Sequence, residues 1–511
     1  MPFYKFLDRG ASFDPQAVCL QQGTAQWTYA QVQQASYLLA DKLRSLGLGP
    51  GHHASVLSKN DANAFMCLFG INRAGLAWVP ANPRLNQQDN QYLLDQFDCQ
   101  VLLFHSAFES MVRQLVKTTP KLKHLVCIDR ALEGIVSLQE WTANASPSTE
   151  SYASQPDTLV MLAPTGGTTG KSKGVMLTER NLLAYQAGFM VSLAYDQAER
   201  PVNLAAAPLT HAAGLCTFPV IARGGKVVVL ESPEPASMLA ALASSGATET
   251  FLPPTAIYRL LSHPDLAKYD YSQLKYFVYA AAPMSVEKLK QAIAAFGPCM
   301  TQVFGQTEAP MICTFLSPKE HMQGSALAPD QTLSSCGRPT PLVDISIQDE
   351  LGQQLPHGQQ GEICVKGDLV MAGYYKQPEL TAQTIIDGWL HTGDVGYIDA
   401  DGRVHICDRK KDMIISGGYN IYPQEIEQLI WAHPAVEDCA VIGVADEDWG
   451  EAVKAVVELK ANARVTAEEL MALCKHELGS LKTPKSVDFV DSLPRSVNGK
   501  VLKKDVRALY A

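Results

Sequence analysis

Thr165-Gly166-Gly167-Thr168-Thr169-Gly170-Lys171-Ser172-Lys173-Gly174 packs four glycines, four hydroxyl side chains and two lysines into ten residues. Glycine lets backbone approach a ligand closely. Hydroxyls and loop N–H groups donate to phosphate oxygens, and lysines balance their charge. The stretch reads as a cradle for a polyphosphate. A flexible Gly/Ser/Thr linker has a similar composition. The apolar runs on either side, 159–162 and 174–177, argue instead for a loop held between two strands.

The stretch falls one glycine short of a Walker A motif, because Thr165 stands where that pattern needs its first glycine. A Walker A lysine also opens a helix, whereas here an apolar run follows and a helix is predicted only from about Thr178. The loop therefore reads as the tip of a β-hairpin. A P-loop ATPase or kinase remains the alternative from another class. It predicts release of phosphate or ADP.

Moving outward, 511 residues exceed one ordinary domain. Apolar content of 47% and charged content of 18% suit a globular chain with a large core. A net charge of −10 without blocks of like sign gives nucleic-acid binding no electrostatic support. The twelve cysteines are scattered, and none forms a C-x-x-C pair. They read as small core residues of a reducing compartment, so a cytoplasmic enzyme is expected. Neither a secretory leader nor a bilayer-spanning run is apparent.

Thr28 and Gln31 form a predicted capping box, with Val32, Ala35, Leu39 and Leu43 at helical spacing and Gly47 as terminator. A second helix is predicted over 64–74, with strands over 101–104 and 125–128. Beyond the hairpin, strands are predicted over 227–230 and 276–280. Helices are predicted over 181–193, 238–244 and 286–296, the last with Ser285 as its cap. Strands leading through small residues into helices form ligand crevices in α/β sheets. Past Gly361 the pattern changes to short strands and Gly-rich turns. The charged run Asp408-Arg409-Lys410-Lys411-Asp412 reads as a linker into a second unit, with strands over 439–444 and 453–459. Its helices are predicted over 423–432 and 466–478.

Seven signatures recur in order: the 165–174 loop, Phe304-Gly305-Gln306-Thr307-Glu308, Gly361-Glu362-Ile363, Gly373-Tyr374-Tyr375, Trp389-Leu390-His391-Thr392-Gly393-Asp394, the 408–412 run, and Pro494-Arg495-Ser496-Val497-Asn498-Gly499-Lys500. Together they resemble the adenylate-forming superfamily of acyl- and aryl-CoA synthetases, adenylation domains and firefly luciferase, over almost the whole chain. The resemblance implies an α/β fold. A large multi-layered N-terminal domain with α/β subdomains and a small β-rich subdomain would span 1–410. A small mobile α+β domain would span 411–511, with Lys411 as hinge.

It also implies the chemistry. A carboxylate attacks the α-phosphate of ATP, and a thiol, here coenzyme A, then displaces AMP. By resemblance, Thr165, Gly166, Gly167, Thr168, Thr169, Gly170, Lys171 and Lys173 hold phosphates. Glu308 binds Mg²⁺, and Thr307 donates to the α-phosphate. Lys500, beside the Asn498-Gly499 turn, is the catalytic lysine that reaches across from the small domain. Ala281, Ala282 and Pro283 line the adenine, and Phe304 stacks where the family usually has tyrosine. Asp394 accepts from the ribose hydroxyls and Arg409 is a second contact to ribose or phosphate, although Asp394 also reads locally as a turn residue. Ser416, Gly417, Gly418 and Tyr419 line the thiol path, or form an ordinary tight turn. His211, Gly214, Ala280, Gly305 and Met311 belong to the acid pocket, with residues 251–255 beside them.

These pocket residues are small or apolar, without a lysine or arginine to match a second carboxylate. A hydrophobic aryl or medium-chain acid is therefore expected. The implied partners are a small carboxylic acid, ATP and CoA, with no nucleic acid and no transmembrane segment, and a homodimer is left open. Under the alternative of a stand-alone adenylation enzyme, the thiol belongs to a carrier protein.

Overall fold

The computed structural model describes residues 2–147, 152, 155–166, 172–495 and 501–510. Among these, two large sheets of seven and nine strands carry most of the molecule. A smaller sheet around Trp389–Ile398 follows, and another closes the C-terminal region.

The seven-stranded sheet contains the hairpin. Leu159–Gly166 and Ser172–Thr178 run antiparallel, with Thr165 opposite Lys173 and Gly166 opposite Ser172. Thr178 then caps the helix Glu179–Ser192 through a reciprocal box with Asn181. The chain thus leaves the hairpin along a strand before any helix begins, as the apolar run 174–177 predicts and a Walker A loop does not. The loop residues Gly167, Thr168, Thr169, Gly170 and Lys171 lie outside the described residues.

The nine-stranded sheet is the larger scaffold. Strands Val202–Ala205, Glu249–Leu252, Tyr276–Tyr279 and Met300–Phe304 lie side by side and parallel. Parallel neighbours place their carboxyl ends at one edge. The segments leaving that edge begin at Ala206, Pro253, Ala280 and Gly305, so four separated stretches of sequence meet there. The strands are buried on both faces, as expected of a sheet covered by helices.

Local signals hold where one residue decides them. Thr28 and Gln31 form their box, and Thr466 and Glu469 form another at Ala467–Lys482. Ser285 corrects the expectation. It occupies the N-cap position of Val286–Phe296, but its side chain makes no capping bond, and its backbone N–H donates to the Tyr258 hydroxyl at 2.9 Å. The charged run 408–412 is also less of a linker than its composition implies. Asp408 and Arg409 end the strand Val404–Arg409, paired with Trp389–Ile398, and only Lys410–Asp412 forms a short 3₁₀ turn.

The hydrophobic core separates at that turn. Buried clusters of the first part reach Val404, and a distinct one begins at Ile414. The cysteines are unpaired and buried apart from partly exposed Cys407, which agrees with their reading as core residues. No helix among the described residues is long and apolar enough to cross a membrane.

Candidate active site

The carboxyl edge of the four parallel strands gathers the predicted site residues. Phe304 ends its strand and is buried, and its carbonyl accepts from the Cys313 N–H at 2.8 Å, so the chain doubles back over the Gly305–Glu308 turn. A Cβ on Gly305 would lie 2.5 Å from the Met311 nitrogen, so only glycine permits this crossing. Ala281 (φ 74°) and Met311 (φ 61°) both adopt left-handed backbone conformations. Such conformations cost about 1–3 kcal/mol each and concentrate at functional sites. Both are site residues expected from the sequence.

Asp394 is not a turn residue. It lies in the strand Trp389–Ile398, directly opposite Arg409, and is buried. Its two carboxylate oxygens are held separately. Arg409 Nε lies 2.7 Å from Oδ1, and Gln306 Nε2 donates to Oδ2 at 2.8 Å. Gln306 also donates to the Thr392 carbonyl at 2.7 Å. The 304–308 and 389–394 signatures, far apart in sequence, therefore interlock through one amide. Behind the turn, Glu362 accepts from the Gly393 N–H at 3.0 Å and lies 3.4 Å from Lys410 Nζ. Gly361-Glu362 thus supports the Asp394 strand from beneath.

Glu308 accepts from the Tyr374 hydroxyl at 2.8 Å. Tyr374 belongs to the short strand Gly373–Tyr374, which pairs with the hairpin strand Ser172–Thr178. Lys173 Nζ stands 5.0 Å from the centre of its ring. Thr307 sits half-buried between Gln306 and Glu308. The hairpin base and the Glu308 turn are therefore fastened to each other.

His211 sits at the N-cap position of the helix Ala212–Ala222, with Nδ1 2.9 Å from the Thr210 hydroxyl oxygen. Burial, with a smaller effect of the Arg84 charge, lowers its pKa to about 4, so the ring is neutral at pH 7. Gly214 permits a close approach, since a Cβ there would collide with the Leu209 carbonyl. Ala280 is buried, Ala281 and Pro283 are exposed, and Ala282 between them in sequence is half-buried.

Of the small-domain candidates, Ser416 and Tyr419 pair across the two-residue turn Gly417-Gly418. Both glycines have positive φ, 57° and 80°. Hairpin turns of this length select such values. A Cβ on Gly417 would also lie 2.6 Å from the Trp449 ring. Tyr419 is 60% exposed and Trp449 43%. The tip is therefore exposed to solvent. Lys411 lies in the 3₁₀ turn between the two cores. Lys500 lies outside the described residues, but its flanks Arg495 and Val501 bridge antiparallel.

Sequence reasoning missed three participants. Gln306 and Tyr374 stand inside signatures that assign them no role of their own. Arg84, which follows the carboxyl end of strand Ala77–Pro80, had no local signal at all.

Comparison with known proteins agrees with this geometry. The model of AMP-binding enzymes matches residues 7–375, and that of their C-terminal domain matches residues 425–500. A medium/long-chain-fatty-acid–CoA ligase of Mycobacterium tuberculosis is 36% identical over 483 residues, covering 91% of this chain and 82% of the relative. A feruloyl-CoA synthase of Amycolatopsis is 34% identical over 504 residues, covering 98% of both. The solved structure of the amide bond synthetase McbA of Marinactinospora thermotolerans superposes with a TM-score of 0.90, at 30% identity and over the whole of both chains. With the hairpin, the strand-edge site and these matches in agreement, the chain belongs to the AMP-binding enzyme family of adenylate-forming ligases.

Proposed function

We propose that this chain is an ATP-dependent acid–thiol ligase that activates a hydrophobic carboxylic acid and passes the acyl group to coenzyme A. The observation that carries the reading is the interlocked pair of contacts at the strand edge, Gln306–Asp394–Arg409 and Glu308–Tyr374.

In the first step a carboxylate oxygen attacks the α-phosphorus, and the bond from that phosphorus to the bridging oxygen breaks, releasing pyrophosphate. Two anions must be held together, so charge neutralisation and alignment dominate. The 165–173 hairpin holds the outgoing phosphates, Thr307 donates to the α-phosphate, and Lys500 neutralises the charge that develops. Asp394, held at both oxygens, accepts from the ribose hydroxyls, and Arg409 pairs with it. Phe304 and the 281–283 segment flank the base. Neutral His211 borders the acid pocket without serving as a proton carrier.

Magnesium fits Glu308. Among the described residues no group of three or more His, Cys, Asp or Glu could hold a metal alone. One carboxylate together with substrate phosphates is the set magnesium usually takes. Bound there, it would neutralise phosphate charge.

In the second step the thiol sulfur attacks the acyl carbon, the bond to AMP breaks and the thiol proton is lost. Lys411 serves as the pivot that withdraws Lys500 and brings the exposed Ser416–Tyr419 tip to the strand edge. Trp449, packed against Gly417, travels with it. The gap between the two cores, from Val404 to Ile414, supports a domain division at 410/411.

The acid follows from the pocket. Gly214, Ala280, Gly305, Met311 and the Phe251 strand end offer apolar surface. An aryl or medium-chain monocarboxylic acid is preferred, and Arg84, whose charge acts on His211, is a nearby cation that the acid screen must probe. A screen of benzoate, cinnamate, octanoate and malonate, reading AMP and acyl-CoA together, tests this. Turnover of malonate alone contradicts the acid class. AMP formation without acyl-CoA contradicts the acceptor and points to a carrier-bound thiol.

A further inference from the structure

Tyr374 is held too specifically for a packing residue. Its hydroxyl donates to Glu308 Oε1, its ring lies under Lys173, and its own N–H donates to the Thr381 hydroxyl at 2.9 Å. The residues around it form a strap. The Met371 N–H donates to the Glu308 carbonyl at 2.8 Å, that of Ala372 to Met176 at 3.0 Å, and that of Tyr375 to Gly174 at 2.8 Å. Five consecutive residues thus join the Glu308 turn at one end to the phosphate hairpin at the other. Gly373 fixes the path, since its φ is 141° and a Cβ would meet the Thr381 methyl at 2.7 Å.

The phenol is buried at 5% exposure. Burial, with the neighbouring Glu308, pushes its pKa upward, so it remains a donor at every working pH. Donation to one carboxylate oxygen fixes the rotation of the group. A half-buried glutamate without that bond would regain rotamer freedom.

Resting on the reading of Glu308 as the magnesium-linked carboxylate, we infer that Tyr374 is a positioning residue. It orients Glu308 toward the divalent cation that arrives with ATP and couples that orientation to the hairpin through Lys173 and the strap. The strap sets the distance between the two phosphate-facing elements, and the hydroxyl sets the direction of the charge.

Tyr374→Phe isolates the hydroxyl, leaving the ring, the strand pairing and the contact with Lys173. Hydrogen-bond partners behind a metal ligand are typically worth about 10–100-fold in metal affinity. The Mg²⁺ concentration for half-maximal adenylation should rise by about tenfold or more in this variant. Calorimetric titration with ATP should show the gain in affinity from added Mg²⁺ shrinking by a similar factor, while ATP affinity in EDTA stays unchanged. Acyl transfer from supplied acyl-adenylate should be as fast as in the parent. A merely structural hydroxyl would lower thermal stability and leave the Mg²⁺ requirement unmoved, and that result overturns the inference. Glu308→Gln separates it from the reading beneath. If that variant keeps the parent's Mg²⁺ dependence, the Glu308 reading itself fails. If it loses that dependence while Tyr374→Phe does not, only the role of Tyr374 fails.

Discussion

The two halves of the site are built in opposite ways. On the large domain, Asp394 is held by Gln306 and Arg409, and Glu308 by Tyr374, through contacts of 2.7–2.8 Å, mostly out of solvent. On the small domain, the Gly417-Gly418 tip is exposed, with Tyr419 60% and Trp449 43% in solvent. The difference follows the chemistry proposed for each. A nucleotide pocket used in both steps gains from groups fixed in advance, because no reorganisation is then needed. A surface that serves only the second step must be able to leave, so it carries few bonds to the other half.

The largest effect should come from the group that joins the halves. Lys500→Ala should slow adenylation by about 10²–10³, the usual worth of one charge-stabilising donor. Acyl transfer from preformed adenylate should fall far less. Isolated half-reactions followed by chromatography give both rates, and equal losses would erase the contrast between the halves.

Next is the interlock. Asp394→Asn removes a charge held by Arg409 and Gln306, and hydrogen bonds to charged groups are worth about 1.5–3 kcal/mol. ATP affinity should fall by about tenfold or more, in both titration calorimetry and KM. An unchanged affinity would mean that the buried carboxylate only supports the fold.

A pH test sharpens the contrast further. His321, beneath the site, is buried, with Nε2 3.0 Å from the Tyr279 hydroxyl and Nδ1 2.8 Å from the Ser317 carbonyl. Burial lowers its pKa to about 4, from 6.5. A depressed histidine contributes stability that is complete above the unfolded value and is lost as pH falls toward the folded one. Between pH 7 and 5 the large domain should lose about 2 kcal/mol from this group. Hydrogen exchange should show that loss at the Tyr276–Tyr279 strand and not in the small domain. His321→Gln should flatten it.

The smallest effect belongs to the exposed tip. Gly417→Ala places a methyl against Trp449 at positive φ. It should cost about 1 kcal/mol or more in small-domain stability. Acyl transfer should slow several-fold more than adenylation.

What was legible in the sequence divides along similar lines. The hairpin could be read because glycines, hydroxyls and flanking apolar runs are contiguous. The capping boxes could be read because their partners stand three residues apart. Asp394 read locally as a turn residue because its reason for being buried, Gln306, lies 88 positions away. Tyr374 gave no signal of its role for the same reason, its partner being 66 positions off. The 408–412 run looked like a linker by charge, yet Asp408 accepts from the Gln424 N–H at 2.8 Å and Arg409 pairs with Asp394. Charge composition cannot distinguish a solvated run from one whose charges are already partnered. Ser285 shows the converse, a residue suited to capping whose place in the fold gives its backbone a different partner.

The most direct test is made at the pivot. Proline at position 411 restricts both that residue and the one before it. Rapid-quench measurement of the two half-reactions in Lys411→Pro should find adenylation within a few-fold of the parent and acyl transfer to CoA nearly abolished. If both steps slow together, or if neither changes, the two halves do not serve two steps by rotation about this residue.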